Sequence, residues 1–406
     1  MKRILLPFFL LIASLHCLSV TPRSDMPTWE QLDGSMMPLS PDVFAKAPAL
    51  PDSLRPVMLN HVGRHGARFL TSASRTSRLL KRLARARSVG KLTARGEEFA
   101  GVLQLIDSLT GRRWGALDSL GMAQQAAIGG WLDAMMPKAK GNVKSVATWV
   151  PRVVMSMYSC LHALQAANSS LETEALAGHR FDPLLRFFTT DSAFLAYHSG
   201  NAWRGVLGDY QKATLPEEPA RRLISGLSPE EARSMSSDMY AAVRGFASLG
   251  RQFDRSRWFS YDEYFRCWKV DNLGHWLLRT RNSLGSLPAE IARPLLIELM
   301  ESLTSGRELM SLRFGHAETL MPLLSLMGAQ GCDAPDVSPD DVWKYWRDYE
   351  VVPLGASLVL LTLRAPGGAL YVASFLNGAP VSPAPGIAPL APLDALIRAL
   401  SERLAL

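Results

Sequence analysis

Apolar and polar positions along the chain follow two periods, and the places where the period changes mark out the elements. A strand-like run from Val57 to Val62 leads into Gly63-Arg64-His65-Gly66. Beyond it, Leu79, Leu80 and Leu83 fall on one side of a helix, with Arg75, Arg78, Arg82 and Arg85 on the adjacent side. A second strand reads from Val143 to Trp149 and ends in Pro151-Arg152. The helix after it keeps Met157, Cys160, Leu161 and Leu164 at the i, i+3, i+4, i+7 spacing. In the third unit Met310, Leu312 and Phe314 alternate, Gly315-His316 follows, and Leu320, Leu323, Leu324 and Met327 form a helical stripe. Strand, turn and helix thus recur three times, with a basic residue at each turn. The pattern predicts an α/β fold with a mostly parallel central sheet flanked by helices. Ligands of such sheets bind beyond the carboxyl ends of the strands, so the three turns are expected to meet at one pocket.

Between the second and third units, residues 181–305 show helical periods and many aromatics, among them Trp258, Phe259, Tyr261, Tyr264, Phe265, Trp268 and Trp276. This predicts an inserted, mainly helical cap, leaving 44–180 and 306–406 for the α/β domain. Residues 21–50 read as an irregular arm. Ser357 to Leu363 and Leu370 to Leu376 read as strands joined by Ala365-Pro366-Gly367-Gly368, and a short amphipathic helix closes the chain after a Pro-rich stretch.

Composition narrows the class. The chain has 406 residues, 48% of them apolar, which suits a globular protein with a full core. Lys2-Arg3, the apolar run Ile4 to Leu15 and small residues near Ser19 have the layout of a secretory signal over residues 1–20. That run is shorter than the roughly 20 residues of a bilayer span, so no stable membrane span is expected. Export to the periplasm or the medium follows, with surface anchoring only if Cys17 is lipidated; His16 before it fits that processing poorly. Cys160, Cys267 and Cys332 then remain, enough for one disulfide at most. The formal net charge of +7 is concentrated: residues 64–96 hold ten basic residues and no acid, and the chain beyond them and the signal is mildly acidic. Such a distribution argues for a local anion site and against a nucleic-acid stripe.

His65 stands between Arg64 and Arg68, with Gly66 allowing close backbone approach. Guanidinium forks match phosphoryl oxygens, and a neutral imidazole beside them can act as a nucleophile at phosphorus. The other chemical unit is Gly315-His316-Ala317-Glu318 at a helix start, where backbone N–H groups suit an anion. Glu318 reads either as an acid able to protonate a leaving oxygen or as a simple complement to the helix dipole. The arginines behind His65 read as a solvated helix face or as an attractor of anions. His61, His162, His179, His198 and His275 read as structural. His61 and His65 have the spacing of a zinc pair but lie on a strand and turn, so no metal is expected.

Arg64-His65-Gly66-Ala67-Arg68-Phe69-Leu70-Thr71 resembles the RHGxRxxT signature of the histidine phosphatase branch that includes acid phosphatases and phytases. His316-Ala317-Glu318 is similar to the HAE proton-donor motif of multiple inositol polyphosphate phosphatases. Weaker matches lie between them in the expected order, at Leu117-Asp118-Ser119-Leu120-Gly121 with Gln124, at Arg152-Val153-Val154-Met155-Ser156, and at Leu185-Arg186-Phe187-Phe188. Phe69-Leu70 and Leu117-Asp118 depart from the common pattern without removing a chemical group.

The resemblance implies that His65 is the nucleophile and forms a phosphohistidine. Arg64, Arg68, Arg152, Thr71 and His316 would hold the transferring phosphoryl group, and Glu318 would donate a proton to the leaving alcohol. No cofactor is needed. The implied activity is stepwise hydrolysis of inositol polyphosphates such as phytate by a monomer whose only partner is its phosphorylated small-molecule substrate. Arg180, Arg186, Arg266 and Lys269 are candidate further cations, with Arg180 and Lys269 favoured. A broad acid phosphatase acting on sugar phosphates or nucleotides is the alternative enzyme. A secreted binder of phosphorylated ligands is the non-enzymatic one, although binding alone needs neither a nucleophile nor a proton donor.

Overall fold

The structure is a computed structural model and describes residues 22–405. The expected signal and Cys17 lie outside the described residues. Eight strands form one sheet: β1 (Arg55–Arg64), β2 (Gly141–Ala147), β3 (Leu171–Ala177), β4 (Met310–Gly315), β5 (Ser357–Arg364), β6 (Leu370–Leu376), β7 (Ala379–Pro380) and β8 (Leu390–Pro392). Their order is β3-β2-β4-β1-β5-β6-β7, with β8 also on β6. Strands β3, β2, β4 and β1 run parallel, and the expected hairpin β5-β6 adds an antiparallel half. Strand β3 is absent from the sequence pattern because it is an edge: Leu-Glu-Thr-Glu-Ala-Leu-Ala is built of helix formers, and most of its positions stay accessible.

Four helices follow the first strands: α1 (Ser74–Ser88), α2 (Ala94–Thr110), α3 (Ser119–Met135) and α4 (Pro151–Ala167). Alternation along β1 sends Leu59 into one core with Ile128 and Leu132 of α3 and Met157 and Leu161 of α4. Met58 and Val62 enter the opposite core, with Leu295 and Leu299 of the helix Arg293–Ser305 and Leu320 and Leu324 of the helix Ala317–Met327. A third core lies in the helical half. There Leu79, Leu83, Phe99 and Leu103 of α1 and α2 pack on Met235, Met239, Tyr264 and Trp268 from the helices Pro229–Val243 and Tyr261–Arg279. Among the described residues 181–305 hold no strand.

Packing divides the molecule differently from chain order. Helices α1 and α2 follow the first strand in sequence yet complete the helical half. The helix Arg293–Ser305 follows the cap helices yet covers the sheet, where its Ser302 hydroxyl donates to Asn60 Oδ1 (2.7 Å). The arm is tied down as well: Asp33 is buried, paired with Arg255 and accepting from the Tyr264 hydroxyl (2.7 Å). Cys160, Cys267 and Cys332 are buried free thiols. No helix among the described residues is long and apolar enough to cross a membrane.

Candidate phosphoryl-transfer site

The three turns lie at the carboxyl ends of the adjacent parallel strands β2, β4 and β1. The loop after β1 is held at nearly every polar atom. His65 N donates to Gly315 O (3.1 Å), Gly66 N to Ser156 Oγ (3.1 Å) and Ala67 N to Gln124 Oε1 (2.7 Å). Gln124 in turn donates to Leu39 O and Leu354 O, and Gln125 to Arg64 O. These contacts account for the weaker sequence matches. Asp118 caps α3 by accepting from Gly121 N (2.6 Å), Gln124 braces the loop, and Ser156 links it to α4. Gly66 has a different reason from the one its sequence suggests. A Cβ there would lie 2.4 Å from Gly121 O, so its space is filled by the start of α3 and not by a ligand.

His65 is buried, and its Nδ1 lies 2.9 Å from Gly66 O. A carbonyl oxygen only accepts, so Nδ1 carries the proton. Burial first, and then Arg64, Arg152 and Arg68, hold the His65 pKa well below the usual imidazole value. The ring is therefore neutral and keeps its lone pair on Nε2. His316 stands beside it, ring centroids 5.7 Å apart, with its Nε2 3.2 Å from Thr148 Oγ1. Its pKa is lowered to about 3 by burial, against Glu318 and with Arg152 and Arg186.

Arg64 Nη1 donates to Ser35 O (2.6 Å) and to Val352 O, which fixes the guanidinium while leaving buried Nε without a partner. Arg68, Arg152 and Arg186 each leave a buried Nε unpaired, and Arg279 leaves a buried Nη1. Buried N–H groups without acceptors are costly, so these donors could receive an anion. Burial lowers Arg64 to about 10 and Arg68 to about 9, with Arg64 and Arg152 adding to the effect on Arg68. Among these cations, Glu318 takes the opposite charge. Burial pushes its carboxyl up, but Arg279, His316 and Arg64 outweigh that and hold it at about 2.

Behind Arg64 lies a buried ionic cluster. Asp348 Oδ2 accepts from Ser35 N (2.8 Å) and lies 3.0 Å from His275 Nδ1, and Asp348 Oδ1 accepts from Trp268 Nε1 (3.0 Å). Asp271 pairs with Arg244. Asp271, His275 and Asp348 could together hold a metal by spacing. Both carboxylates already have charged partners, however, and the network reads as the support of the Ser35 carbonyl that grips Arg64.

No family model matches the chain, and no curated protein does. Among solved structures, the multiple inositol polyphosphate phosphatase of Bifidobacterium longum in complex with inositol hexasulfate superposes with a TM-score of 0.76 at 15% identity, covering 91% of this chain and 97% of that one. The phytase from D. castellii gives 0.68 at 15% identity, with 93% and 85% covered. This chain has the fold of the inositol polyphosphate phosphatases and phytases. The coverage extends that likeness over the helical half as well as the sheet.

Of the residues singled out in the sequence, the structure brings together Arg64, His65, Arg68, Arg152, Arg186, His316 and Glu318. Thr71 is exposed and lines a neighbouring cavity with Arg68. Arg180 is exposed, its guanidinium over Phe181 (4.8 Å). Lys269 does not join the group. It lies 3.9 Å from Asp340 and over Phe265, about 15 Å along its helix from Arg279. Arg279 carries no sequence signal, because a cation in the last turn of a helix reads as a dipole complement. Its place is set by Phe188, whose ring lies beneath both Arg279 (5.6 Å) and Arg186 (5.8 Å) and edge-on to His316.

Proposed function

We propose that this protein is an exported phosphomonoesterase that removes phosphates stepwise from inositol polyphosphates such as phytate. The observation that carries this reading is a neutral His65, its Nε2 lone pair free, ringed by Arg64, Arg68 and Arg152 with unpaired N–H groups. His65 Nε2 attacks phosphorus, and the bond from phosphorus to the ester oxygen breaks. Glu318 protonates the departing alcohol. The resulting carboxylate then takes a proton from water, whose oxygen attacks phosphorus and breaks the P–N bond, releasing phosphate and restoring neutral His65. Arg64, Arg68, Arg152 and His316 hold the equatorial oxygens, and such preorganised charge is the main source of rate enhancement in phosphoryl transfer. The relatives' fold, and the inositol hexasulfate bound by one of them, support the substrate class.

Phosphate release from phytate by the purified chain, with products resolved by position and compared with sugar phosphates and nucleotides, tests the reading. His65→Ala is expected to abolish release. Substantial activity in that variant, or a preference for the simple monoesters, overturns the nucleophile or the substrate class respectively. Chelator is expected to leave the rate unchanged, and inhibition reversed by added metal would refute a reaction carried by fixed arginines alone.

A further inference from the structure

Two carbonyl oxygens grip the Arg64 guanidinium, Ser35 O from the N-terminal arm and Val352 O from the segment before β5. These segments are far apart in sequence, and one residue ties down both. Asp348 Oδ2 accepts from Ser35 N (2.8 Å), and Asp348 O accepts from Val352 N (2.8 Å). The Asp348 side chain is fully buried and closely packed: a Cβ on Gly34, whose φ is +61°, would lie 2.8 Å from Oδ2. Three donors hold the carboxylate, namely Ser35 N, Trp268 Nε1 (3.0 Å) and His275 Nδ1 (3.0 Å). A carboxylate only accepts, so His275 Nδ1 carries a proton. Trp268, Asn272 and His275 stand at i, i+4 and i+7 of the helix Tyr261–Arg279, so a single helical face meets Asp348. Asn272 Oδ1 accepts from Asp348 N (2.9 Å), which fixes the backbone of the residue whose side chain the other two hold. Burying such a polar cluster costs more than burying apolar groups of the same size, which calls for a role beyond packing. The double grip leaves Arg64 Nε buried and unpaired, so the two carbonyls set the direction of that N–H.

We propose that His275 and Asp348 are positioning residues for phosphoryl transfer, acting through the Ser35 and Val352 carbonyls to aim Arg64 at the phosphoryl oxygens. This role rests on the reading above that Arg64 holds the transferring group, and deepens it by giving a cap helix a part in the reaction other than contact with substrate. Losing the His275 donor frees one side of the Asp348 carboxylate, lets the Ser35 peptide shift and turns the guanidinium away from phosphorus. A fixed charge displaced by about 1 Å loses up to about a hundredfold in rate.

The test is a double-mutant cycle on kcat/KM for 4-nitrophenyl phosphate, with His275→Leu and Arg64→Ala alone and together. His275→Leu alone is expected to lower kcat/KM about tenfold to a hundredfold. In the Arg64→Ala background it is expected to change kcat/KM by less than about twofold, because the group it acts through is gone. His275→Asn, whose side-chain amide can replace the Nδ1 donor to Asp348, is expected to recover most of the rate. No loss in His275→Leu, equal losses in the two backgrounds, or no rescue by asparagine overturns the positioning role. Trp268→Phe removes another donor to the same carboxylate and keeps an aromatic ring. Its loss must show the same dependence on Arg64, and it decides the matter if His275→Leu does not fold. Calorimetric binding of inorganic phosphate separates this role from the function it rests on. If the wild type releases phosphate from no ester, the enzymatic reading falls. The positioning role is then judged by phosphate affinity, and equal affinity in the wild type and His275→Leu refutes it.

Discussion

In the proposed mechanism Glu318 meets two demands, proton donor and then proton acceptor, one after the other. Burial favours its acid form, but Arg279, His316 and Arg64 hold it ionised at about 2 in the free protein, so the proton needed by the leaving alcohol is not stored there at neutral pH. A phosphate ester loses its second proton near pH 6. Below that pH it arrives as a monoanion, and its charge offsets the arginines that kept Glu318 ionised, so the carboxyl can take the proton as the ester settles. The kcat/KM for a monoester is therefore expected to fall as pH rises through about 6, and a flat profile from pH 5 to 8 would contradict this route. Glu318→Gln is expected to lose more on inositol phosphates than on an activated aryl phosphate, whose leaving group needs little protonation. Equal losses would argue against a proton-donor role.

Helix α3 carries three glycines that do different things. A Cβ at Gly121 would lie 2.1 Å from Ala67 O, one at Gly129 2.2 Å from Cys160 O, and one at Gly130 would meet nothing within 4 Å. Gly121→Ala is thus expected to push the 64–68 loop off α3. The expected cost is about 1–3 kcal/mol of stability in urea unfolding, with kcat falling by as much as ~100-fold. Gly130→Ala, on the free side of the same helix, is expected to add about 0.5–1 kcal/mol with kcat unaltered. A Gly121→Ala variant with normal kcat would remove α3 from the set of elements that position His65. Such contrasts also show what a sequence exposes. The three strand-turn-helix units were readable because each buries a periodic apolar face, and Arg64, His65, Arg152 and His316 were readable because they occupy the turns. Strand β3, Arg279 and the assignment of α1 and α2 to the helical half depend on contacts across the chain, which no local period records. Gly66 looked like a ligand-facing residue because nothing near it in sequence reveals Gly121.

At the scale of the whole molecule, the site is a concentration of buried positive charge and unprotonated imidazole that the rest of the fold must carry. His61, His65 and His316 all have lowered pKa values, His61 and His316 to about 3, with burial as the first cause. In the unfolded chain each takes a proton near pH 6.5. As pH falls below that value the unfolded state binds protons that the native state does not, so stability is lost on acidification. Glu318 adds to the loss as pH falls from about 4.5 towards 2. His275 runs the other way. Burial lowers it, but Asp271 and Asp348 raise it further, so its contribution is already complete below pH 6.5 and is lost only as pH rises through its raised pKa. The three imidazoles are expected to lower stability from pH 6.5 to 4, partly opposed by Asp118, whose carboxyl burial raises to about 6, as measured by urea unfolding. On the proposed function, inorganic phosphate is expected to bind the native arginines and to raise stability by about 2.7 kcal/mol at a hundred times its Kd, and an unchanged midpoint would refute anion binding by the fold. His61 isolates one term of the acid response. Its ring is fully buried against Phe314, and neither nitrogen has a partner. Replacing it by leucine removes no hydrogen bond and deletes one titrating group. His61→Leu should therefore reduce the slope of stability against pH between about 6 and 4 by one proton, about 1.4 kcal/mol per pH unit, and an unaltered slope would mean that His61 is charged in the folded state.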